Sequence, residues 1–480
     1  MKKYGKRYRK LQKEKELSKG KNPEIRKSVS EEVNDMNTAL LSMSQIAGYN
    51  PIVHDAPDRK KEYLTRLNSY VRAVGRNRRK YEKAQLCAYE KILFGTEEIR
   101  ETHHIDFYRY YMLLDVLHVT GYQLMDSREA GLSAFWDKYY LDFPGEEEHK
   151  LLAGRVVRSV QEGGGQLRLL KRKRELSQER EYIELIRKNI SFQKEKPFGM
   201  MVTATMSAGK STFINALAGK YICRARNLAC TGKIHCIVNK AFEDNLTYEY
   251  DHDLVMTAGH EELMNENGKN RSGKIVVSTY FHGELEKQRM ILNDSPGVNF
   301  SGNKKHKEIT DKLIKGKDYH LLIYILNATQ MSTDDEERHL EFVRQAAGRH
   351  PVLFVLNKVD AVNPEEENLE TIIARQKEYL KEKGFENPAI CPVSAKAGYL
   401  SKKFASDGLS RTEEKELYSY VDKFERMGLA GYYAKNFRNI KVRDTVIEER
   451  QLWKTSGMAY TEKIIKGIAT GGKRNGSDIY

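Results

Sequence analysis

The feature that most constrains the fold is a glycine–lysine–serine loop between two segments of different periodicity. Residues 198–206 form a continuous apolar run of strand length, and residues 212–218 have the pattern of a helix. The loop between them, residues 204–211, reads Ala-Thr-Met-Ser-Ala-Gly-Lys-Ser, with alanine in place of the usual first glycine. This order of strand, loop and helix points successive backbone N–H groups and a helix N-terminus at one phosphate. The sequence therefore predicts a phosphate-binding βα unit.

Further apolar runs follow this loop, and several of them alternate with polar segments of helical pattern. The apolar runs are residues 235–238, 290–293, 321–326, 352–356 and 390–393, and the helical segments include 304–317, 334–347 and 364–383. Continuous apolar strands that alternate with helices favour a parallel sheet covered on both faces. We therefore predict an α/β domain with a mostly parallel sheet over residues 196–408.

Residues of the loop are suited to holding a nucleoside triphosphate. Lys210 can bridge its β- and γ-phosphates, and the hydroxyl of Ser211 can ligate Mg²⁺. The candidate phosphate site also includes Ser207, Ala208, Gly209 and Thr212. A second motif, Asp294-Ser295-Pro296-Gly297, ends the run at 290–293. Its Asp294 carboxylate can reach the Mg²⁺ shell, and Gly297 can let its N–H approach the γ-phosphate.

Two later motifs indicate which base the site accepts. Asn357-Lys358-Val359-Asp360 follows an apolar strand, and Asp360 can accept both N–H donors of guanine, which adenine does not present. Lys358 can pack along the plane of the base. The segment Ser394-Ala395-Lys396 follows the last strand and completes the guanine side. We therefore expect GTP as the substrate, with Mg²⁺ as its ion.

The remaining sequence predicts helices on both sides of this domain. Residues 31–195 are mainly helical and carry aromatic residues at helical spacing, which we interpret as core. In a long predicted helix, residues 166–189, Leu169, Leu176 and Ile183 repeat every seven residues, typical of a coiled-coil seam. Residues 409–480 are expected to form helices that pack with this region, beginning with a capping box at Ser410 and Glu413. Two further helical segments are predicted at about 439–453 and 458–468.

The charge of the chain is concentrated in its first residues. The formal net charge is +15, and residues 1–28 carry 12 basic and 3 acidic side chains. Residues 1–30 are therefore interpreted as a basic, disordered arm that could contact an anionic membrane, an acidic partner or nucleic acid. A simply solvated arm explains the same composition equally well.

The composition also predicts a location. No apolar run reaches 18 residues and the N-terminus has no signal-peptide pattern, so we expect a cytoplasmic or peripheral membrane protein. Five cysteines form no disulfide framework. Three of them cluster with one histidine, as Cys223, Cys230, His235 and Cys236. Because this spacing fits no structural zinc pattern well, we favour small, partly buried thiols over a metal site at this cluster.

The motifs predicted to bind phosphate, Mg²⁺ and guanine occur in order between residues 204 and 396, and this spacing resembles that of translation-factor-related GTPases. In their details, the motifs resemble those of bacterial members of the dynamin family. The resemblance is carried by residues 205–212, 230–231 and 294–297, by Asn327-Ala328-Thr329-Gln330 and by Asp334-Asp335-Glu336. It implies that Thr231 lends its hydroxyl to Mg²⁺ and its carbonyl to the attacking water, and that Ser207 helps to align that water. The sequence departs from the family at Met206, where many dynamins have a glutamine that positions water.

The resemblance also implies a GTP-hydrolysing mechanoenzyme that dimerises through its GTPase domain, with itself or with a partner GTPase chain, and moves a helical neck. Only 84 residues follow Lys396, so any stalk must be built mostly from the first 195 residues. Two alternatives remain open. One is a switch GTPase that acts on RNA or ribosomes through the basic arm. The other is a helical interaction protein whose slow GTPase gates assembly, as Met206 would allow.

Overall fold

The computed structural model describes most of the chain outside its two ends. The described residues are 45–74, 79–95, 98–121, 129–162, 176–177, 179–223, 234–250, 254–255, 274–295, 304–330, 332–363, 365–406, 408–437, 440, 442 and 448–471. The chain divides into two compact units, Met1–Leu170 and Lys171–Tyr480. The predicted basic arm lies outside the described residues, and the domain limits 31–195, 196–408 and 409–480 stay predictions.

The first unit is helical in its described residues. Its helices are α1 (Pro57–Val74), α2 (Arg79–Gly95), α3 (Arg109–Val119), α4 (Glu129–Asp142) and α5 (Glu147–Glu162), with short 3-10 helices at Pro51–His54 and Ile105–Tyr108. The aromatic residues predicted to be core are largely buried, and Tyr70, Phe135 and Tyr139 pack against one another.

A buried carboxylate joins three helices of the first unit. Asp115 of α3 accepts hydrogen bonds from Asn50 Nδ2 at 2.7 Å, from the Tyr63 hydroxyl of α1 at 2.5 Å and from the Tyr89 hydroxyl of α2. Because a buried carboxylate without hydrogen bonds is costly, these three donors make this arrangement of helices specific.

The second unit is built on one sheet of nine strands in its described residues. The strands are β1 (Phe198–Ala204), β2 (Ile234–Asn239), β3 (Tyr248–Tyr250), β4 (Leu254–Val255), β5 (Lys274–Thr279), β6 (Met290–Asp294), β7 (Leu321–Asn327), β8 (Val352–Asn357) and β9 (Ile390–Pro392). Their order is β4-β3-β5-β2-β6-β1-β7-β8-β9. Strands β6, β1, β7, β8 and β9 run parallel to one another, while β2 pairs antiparallel to β6. The predicted α/β fold with a mostly parallel sheet is confirmed.

Helices flank this sheet and follow the predicted alternation. They are α6 (Glu179–Lys194), α7 (Lys210–Ala218), α8 (Lys304–Gly316), α9 (Asp334–Ala347), α10 (Leu369–Glu382) and α11 (Ala395–Ser406). The single long helix predicted over 166–189 is wrong at Leu176 and Ser177, which form a turn before α6. The Ser177 side chain can compete with the helix for backbone hydrogen bonds. The negative charges of Glu179 and Glu181 favour a helix N-terminus just after it. The seam residue Leu169 lies outside the described residues.

The C-terminal helices share one hydrophobic core with the sheet. They are α12 (Arg411–Met427), α13 (Leu429–Asn436), α14 (Glu448–Thr455) and α15 (Met458–Ala469). The predicted capping box is present, since Ser410 and Glu413 bond each other's backbone N–H at the start of α12. The sequence predicts a helix over 439–453, but Ile440 and Val442 are not helical and α14 begins at Glu448. Packing of these helices with the N-terminal helical region stays a prediction.

A buried ion pair fastens the last helix to this core. Lys402 Nζ of α11 lies 2.6 Å from Glu462 Oε1 of α15 and donates to the Leu217 carbonyl of α7 at 3.0 Å. Glu462 also accepts from the indole N–H of Trp453 and from the Glu284 backbone N–H, both at 3.1 Å. Five segments of the unit therefore meet at one carboxylate and one ammonium. Among the described helices, none combines the length and apolarity that a bilayer crossing needs.

Candidate nucleotide-binding site

The predicted motifs meet at one edge of the sheet. Strands β6, β1, β7, β8 and β9 are parallel, so the loops after them leave from the same side. β1 ends at Ala204 and leads into the phosphate loop, residues 204–211, while β6 ends at Asp294 and β8 at Asn357. In open α/β sheets, ligands bind at this carboxyl edge.

The backbone of the phosphate loop takes a conformation that its glycine allows. Gly209 has φ +88° and is the N-cap residue of α7. Because glycine has no side chain, the N-cap offers no side-chain acceptor to the N–H groups of the first helical turn. A Cβ at Gly209 would lie 2.3 Å from Nδ2 of Asn357, closer than any real contact. Ser207 also has a positive φ of 63°, a strained value for a residue with a side chain. The loop therefore offers uncapped N–H groups of a helix N-terminus, which suits an anion.

Lys210 and Asp294 meet beside the phosphate loop. The Lys210 ammonium forms an ion pair with Asp294 Oδ1, and their side chains are 11% and 10% exposed. The next residue, Ser295, donates its hydroxyl to the Val202 carbonyl of β1 at 3.1 Å, which holds the motif against that strand. The lysine that is predicted to bind phosphate is thus paired with the carboxylate that is predicted to bind Mg²⁺.

Asn357 joins three loops by its side chain and backbone. Its Nδ2 donates to the Ala208 carbonyl of the phosphate loop, and its Oδ1 accepts the backbone N–H of Ala395, both at 3.0 Å. Its carbonyl accepts the N–H of Ala328, after β7, at 2.9 Å. The phosphate side and the predicted guanine side are therefore held together by one buried amide.

The guanine-side residues are supported from the C-terminal helices. Lys358 has φ +65°, and Asp360 follows it in a short 3-10 helix, Val359–Ala361. The Asp360 carbonyl accepts a hydrogen bond from Lys423 Nζ of α12 at 2.5 Å. The Ser394 N–H donates to the Ser456 carbonyl at 2.9 Å. Lys423 and Ser456 could not be found from the sequence, because no local pattern marks a contact with a loop so far away in the chain.

Of the other predicted site residues, the structure describes some and leaves two outside the described residues. Ser394 Oγ accepts the Ala397 N–H at 3.2 Å, and Lys396 pairs with Glu416 of α12 at 2.5 Å. Ser211 and Thr212 lie half-buried in the first turn of α7, and Met206 is 37% exposed. Thr231 and Gly297 lie outside the described residues, so their roles stay predictions.

The donors present fit a magnesium ion. Mg²⁺ prefers oxygen ligands, usually one or two protein groups together with phosphates and water. The Asp294 carboxylate faces the phosphate loop, as its ion pair with Lys210 shows, and the Ser211 hydroxyl follows that lysine in the chain. With Ser211, Asp294 and a nucleotide, the oxygen ligands of a Mg²⁺ site would be available.

A buried polar cluster lies beneath the phosphate loop. Thr203 of β1, the residue before the loop, shares a hydrogen bond of 2.8 Å with His339 Nε2 of α9. Around them lie buried polar atoms without a hydrogen-bond partner among the described residues: Tyr324 Oη, Glu336 Oε1, His339 Nδ1, Tyr379 Oη and both amide atoms of Gln376. Desolvation lowers the pKa of His339 to about 3 and raises the pKa of Glu336 to about 7. Glu336 is only 3% exposed.

Replacing Glu336 with glutamine is expected to stabilise the second unit much more at pH 8 than at pH 5. In the unfolded chain this carboxyl titrates near its ordinary value of 4.5, so between pH 4.5 and 7 folding takes up a proton. Stability is therefore lost as the pH rises through this window, by up to about 3 kcal/mol above pH 7. Urea unfolding followed by Trp453 fluorescence, in a Trp136→Phe background, measures the difference.

Asp334→Asn is the matched control, because it removes an exposed carboxylate from the same helical turn. It should change stability by a similar small amount at both pH values. An equal effect of Glu336→Gln at pH 5 and pH 8 would contradict the proton uptake.

Part of the chain matches a known family. Residues 200–359 match the family model described as the dynamin family. Among curated proteins, the chain is 24% identical over 280 residues to a probable transmembrane GTPase, FZO-like and chloroplastic, of Arabidopsis thaliana, covering 52% of this chain and 28% of that protein. It is 25% identical over 130 residues to the bifunctional enzyme NodQ of Rhizobium meliloti strain 1021, covering 27% and 19%. The chain thus spans less than a third of the length of the curated relatives it matches.

Solved structures give more distant similarities. A structure described as an oligomerised bacterial dynamin pair, linked to long-range sensing and tethering of membranes, covers 89% of this chain and 71% of its own, at 15% identity and a TM-score of 0.34. A structure of Era with MgGDPNP and a fragment of 16S ribosomal RNA covers 42% and 52%, at 19% identity and a TM-score of 0.26.

Proposed function

We propose that this chain, which contains a GTPase domain of the dynamin family at residues 200–359, binds GTP and hydrolyses it with Mg²⁺. The observation that carries the proposal is the pair of hydrogen bonds made by the Asn357 side chain, which join the phosphate loop to the loop after β9. A site that must hold the phosphates and the guanine of one nucleotide needs these loops at a fixed separation. A phosphate loop that served another ligand would not need this connection.

The residues of the site divide the work of binding. Lys210 moves from Asp294 to the β- and γ-phosphates, while the backbone N–H groups of Ala208, Gly209 and Lys210 hold the β-phosphate. Asp360 accepts the two N–H donors of guanine, and Lys358 lies along the base. Ala395 and Lys396 complete the guanine side with Ser394. Because Asp360 would remain unpaired opposite adenine, GTP is preferred to ATP.

Hydrolysis needs positioning and charge neutralisation more than a protein base. Ser211, Thr231 and Asp294 would hold Mg²⁺, and the bound ion would supply neutralisation of the charge on the phosphate oxygens. Ser207 and Thr231 align the attacking water, and Gly297 brings its N–H to the γ-phosphate. Met206 has no group that can hydrogen-bond to water as a glutamine would, so turnover by the isolated chain is expected to be slow.

We further propose that the GTPase domain dimerises when nucleotide is bound and that this moves the helical regions. A second copy or a related GTPase chain can supply the water-positioning groups that Met206 does not. The basic arm, with its 12 basic and 3 acidic side chains, suits an anionic membrane surface. RNA or a ribosome is the second candidate partner of this arm.

GTP turnover measured against protein concentration tests these proposals. The rate per molecule should rise with concentration, and anionic liposomes should raise it further. Stimulation by RNA alone would favour the switch GTPase, and nucleotide-dependent assembly with negligible turnover would favour the gated helical assembly. Lys210→Ala should lower turnover at least about 100-fold, since it removes a charge that acts on the transferred phosphate.

Lys381→Ala is the matched control, because Lys381 is exposed on α10, at some distance along the chain from the phosphate loop. It should keep the wild-type rate. Unchanged turnover in Lys210→Ala would overturn the proposed activity of this site.

A further inference from the structure

We propose that Cys223, His235 and Asp294 form a binding site for a thiophilic divalent cation, such as Zn²⁺, beside the phosphate loop. The thiol sulfur, a ring nitrogen and a carboxylate oxygen of these residues all lie within 4.8 Å of one another. In tetrahedral zinc sites, bonds of 2.0–2.3 Å put neighbouring ligand atoms about 3.3–3.6 Å apart. Shifts on the order of 1 Å would therefore close the three ligands around one ion.

The position of Cys223 is fixed by its backbone. Asn215 of α7 accepts the Cys223 N–H at 2.8 Å and the Ile222 N–H at 3.0 Å, and it donates to the Cys223 carbonyl at 2.8 Å. Asn215 is buried in the helix that follows the phosphate loop. A rigid helix thus presents the sulfur at a constant place.

The other two ligands are neighbours in the sheet. His235 of β2 and Asp294 of β6 are opposite each other in an antiparallel pair of strands. Asp294 Oδ2 lies 3.9 Å from Cys223 Sγ, close to the spacing in a zinc site. Successive side chains of a strand point to opposite faces, so Cys236, next to His235, is directed away from this cluster.

The donor set selects a different ion from Mg²⁺. Zn²⁺ accepts a thiolate, an imidazole and a carboxylate as ligands, whereas Mg²⁺ takes oxygen donors and would accept only the carboxylate of these three. The thiolate and the carboxylate would together balance the two charges of the ion. Lys210 pairs with Oδ1 of Asp294, so Oδ2 faces the sulfur. Zinc in this position would occupy the carboxylate that the magnesium nucleotide needs, and the two would exclude each other.

Cobalt(II), added alone as the probe, tests the site by its spectrum. A cobalt–thiolate bond produces a charge-transfer absorption in the near ultraviolet, and this band should appear in the wild-type protein and disappear in Cys223→Ser. His235→Gln should weaken cobalt and zinc binding at least about 10-fold, because a direct ligand contributes no less than an outer-shell partner. Circular dichroism of each variant shows that it is folded.

Cys236→Ser is the matched control, since it removes a buried thiol from β2, the strand that carries His235. It should keep the band and the zinc affinity. A band that persists in Cys223→Ser, or its absence in the folded wild-type protein, would overturn the proposal.

The competition with nucleotide rests on the proposed function, and a second variant separates the two. Lys210→Ala should lose GTP binding yet retain the cobalt band, because it removes a cation and no ligand from the cluster. In the wild-type protein, GTP with Mg²⁺ should displace cobalt. Loss of the band in Lys210→Ala would count against the metal site, whereas a band that GTP does not affect would count against the shared carboxylate.

Discussion

Replacing Lys402 with methionine is expected to lower the free energy of unfolding of the second unit by about 3–5 kcal/mol. The side chains of Lys402 and Glu462 are 5% and 0% exposed, so removal of the ammonium leaves a carboxylate in the core without its counter-charge. The Leu217 carbonyl at the end of α7 would also lose its donor. Hydrogen exchange of the β7 and β8 amides in the full chain, read by mass spectrometry, measures the opening free energy of this unit.

Two controls separate charge burial from lost packing. Lys402→Met combined with Glu462→Gln removes both charges and should recover a large part of the loss. Lys435→Met breaks an ion pair with Glu370 whose side chains are 75% and 65% exposed, and it should change stability by less than about 1 kcal/mol. Equal effects of Lys402→Met and Lys435→Met would contradict the role of the buried pair.

Replacing Gly209 with alanine is expected to reduce affinity for GTP at least about 100-fold. The new Cβ would lie 2.3 Å from Asn357 Nδ2 on a backbone with φ +88°, so Asn357 must move. Its movement would break the bonds to Ala208 and Ala395, and two buried groups would lose their partners. One unpaired buried group costs about 1–3 kcal/mol, and about 3 kcal/mol corresponds to a 100-fold change in affinity. Titration with a fluorescent guanine nucleotide gives the dissociation constant.

Gly467 provides the matched control for this substitution. It lies in α15, and a Cβ there would meet no atom within 4 Å. Gly467→Ala should keep wild-type affinity and can stabilise the helix by up to about 1 kcal/mol. Similar affinities for Gly209→Ala and the wild type would show that the phosphate loop does not depend on this glycine.

The main strands could be predicted because each is a continuous apolar run in a buried sheet. Strand β7, for example, was predicted over 321–326 and is observed at Leu321–Asn327 with every residue buried. Strand β5 (Lys274–Thr279) was missed because only three consecutive apolar residues mark it, next to lysine, serine and threonine. Strands β3 and β4 are only three and two residues long, so no periodicity could reveal them.

The site could be predicted as a set of motifs but not as an assembly. Parallel strands bring Lys210 and Asp294 to the same edge, and this consequence of the fold class follows from the sequence pattern. The bond between Asn357 and Ala208 joins residues 149 positions apart, and the support of Asp360 by Lys423 depends on how α12 packs. Such contacts follow from tertiary packing, which no local pattern encodes.

The hydrogen bond between Ser394 and Ser456 connects the turn between the last two helices, α14 and α15, to the loop proposed to bind guanine. Gly457, the next residue, has φ +84°, and a Cβ there would lie 2.3 Å from the Pro392 carbonyl of β9, so this turn sits directly against the end of that strand. If docking of α14 and α15 orders the loop that we propose to receive guanine, then bound guanine would in turn strengthen their docking by the same free energy, since linkage is reciprocal. A force or a binding partner that displaces the C-terminal helices would therefore lower the affinity of the site for nucleotide.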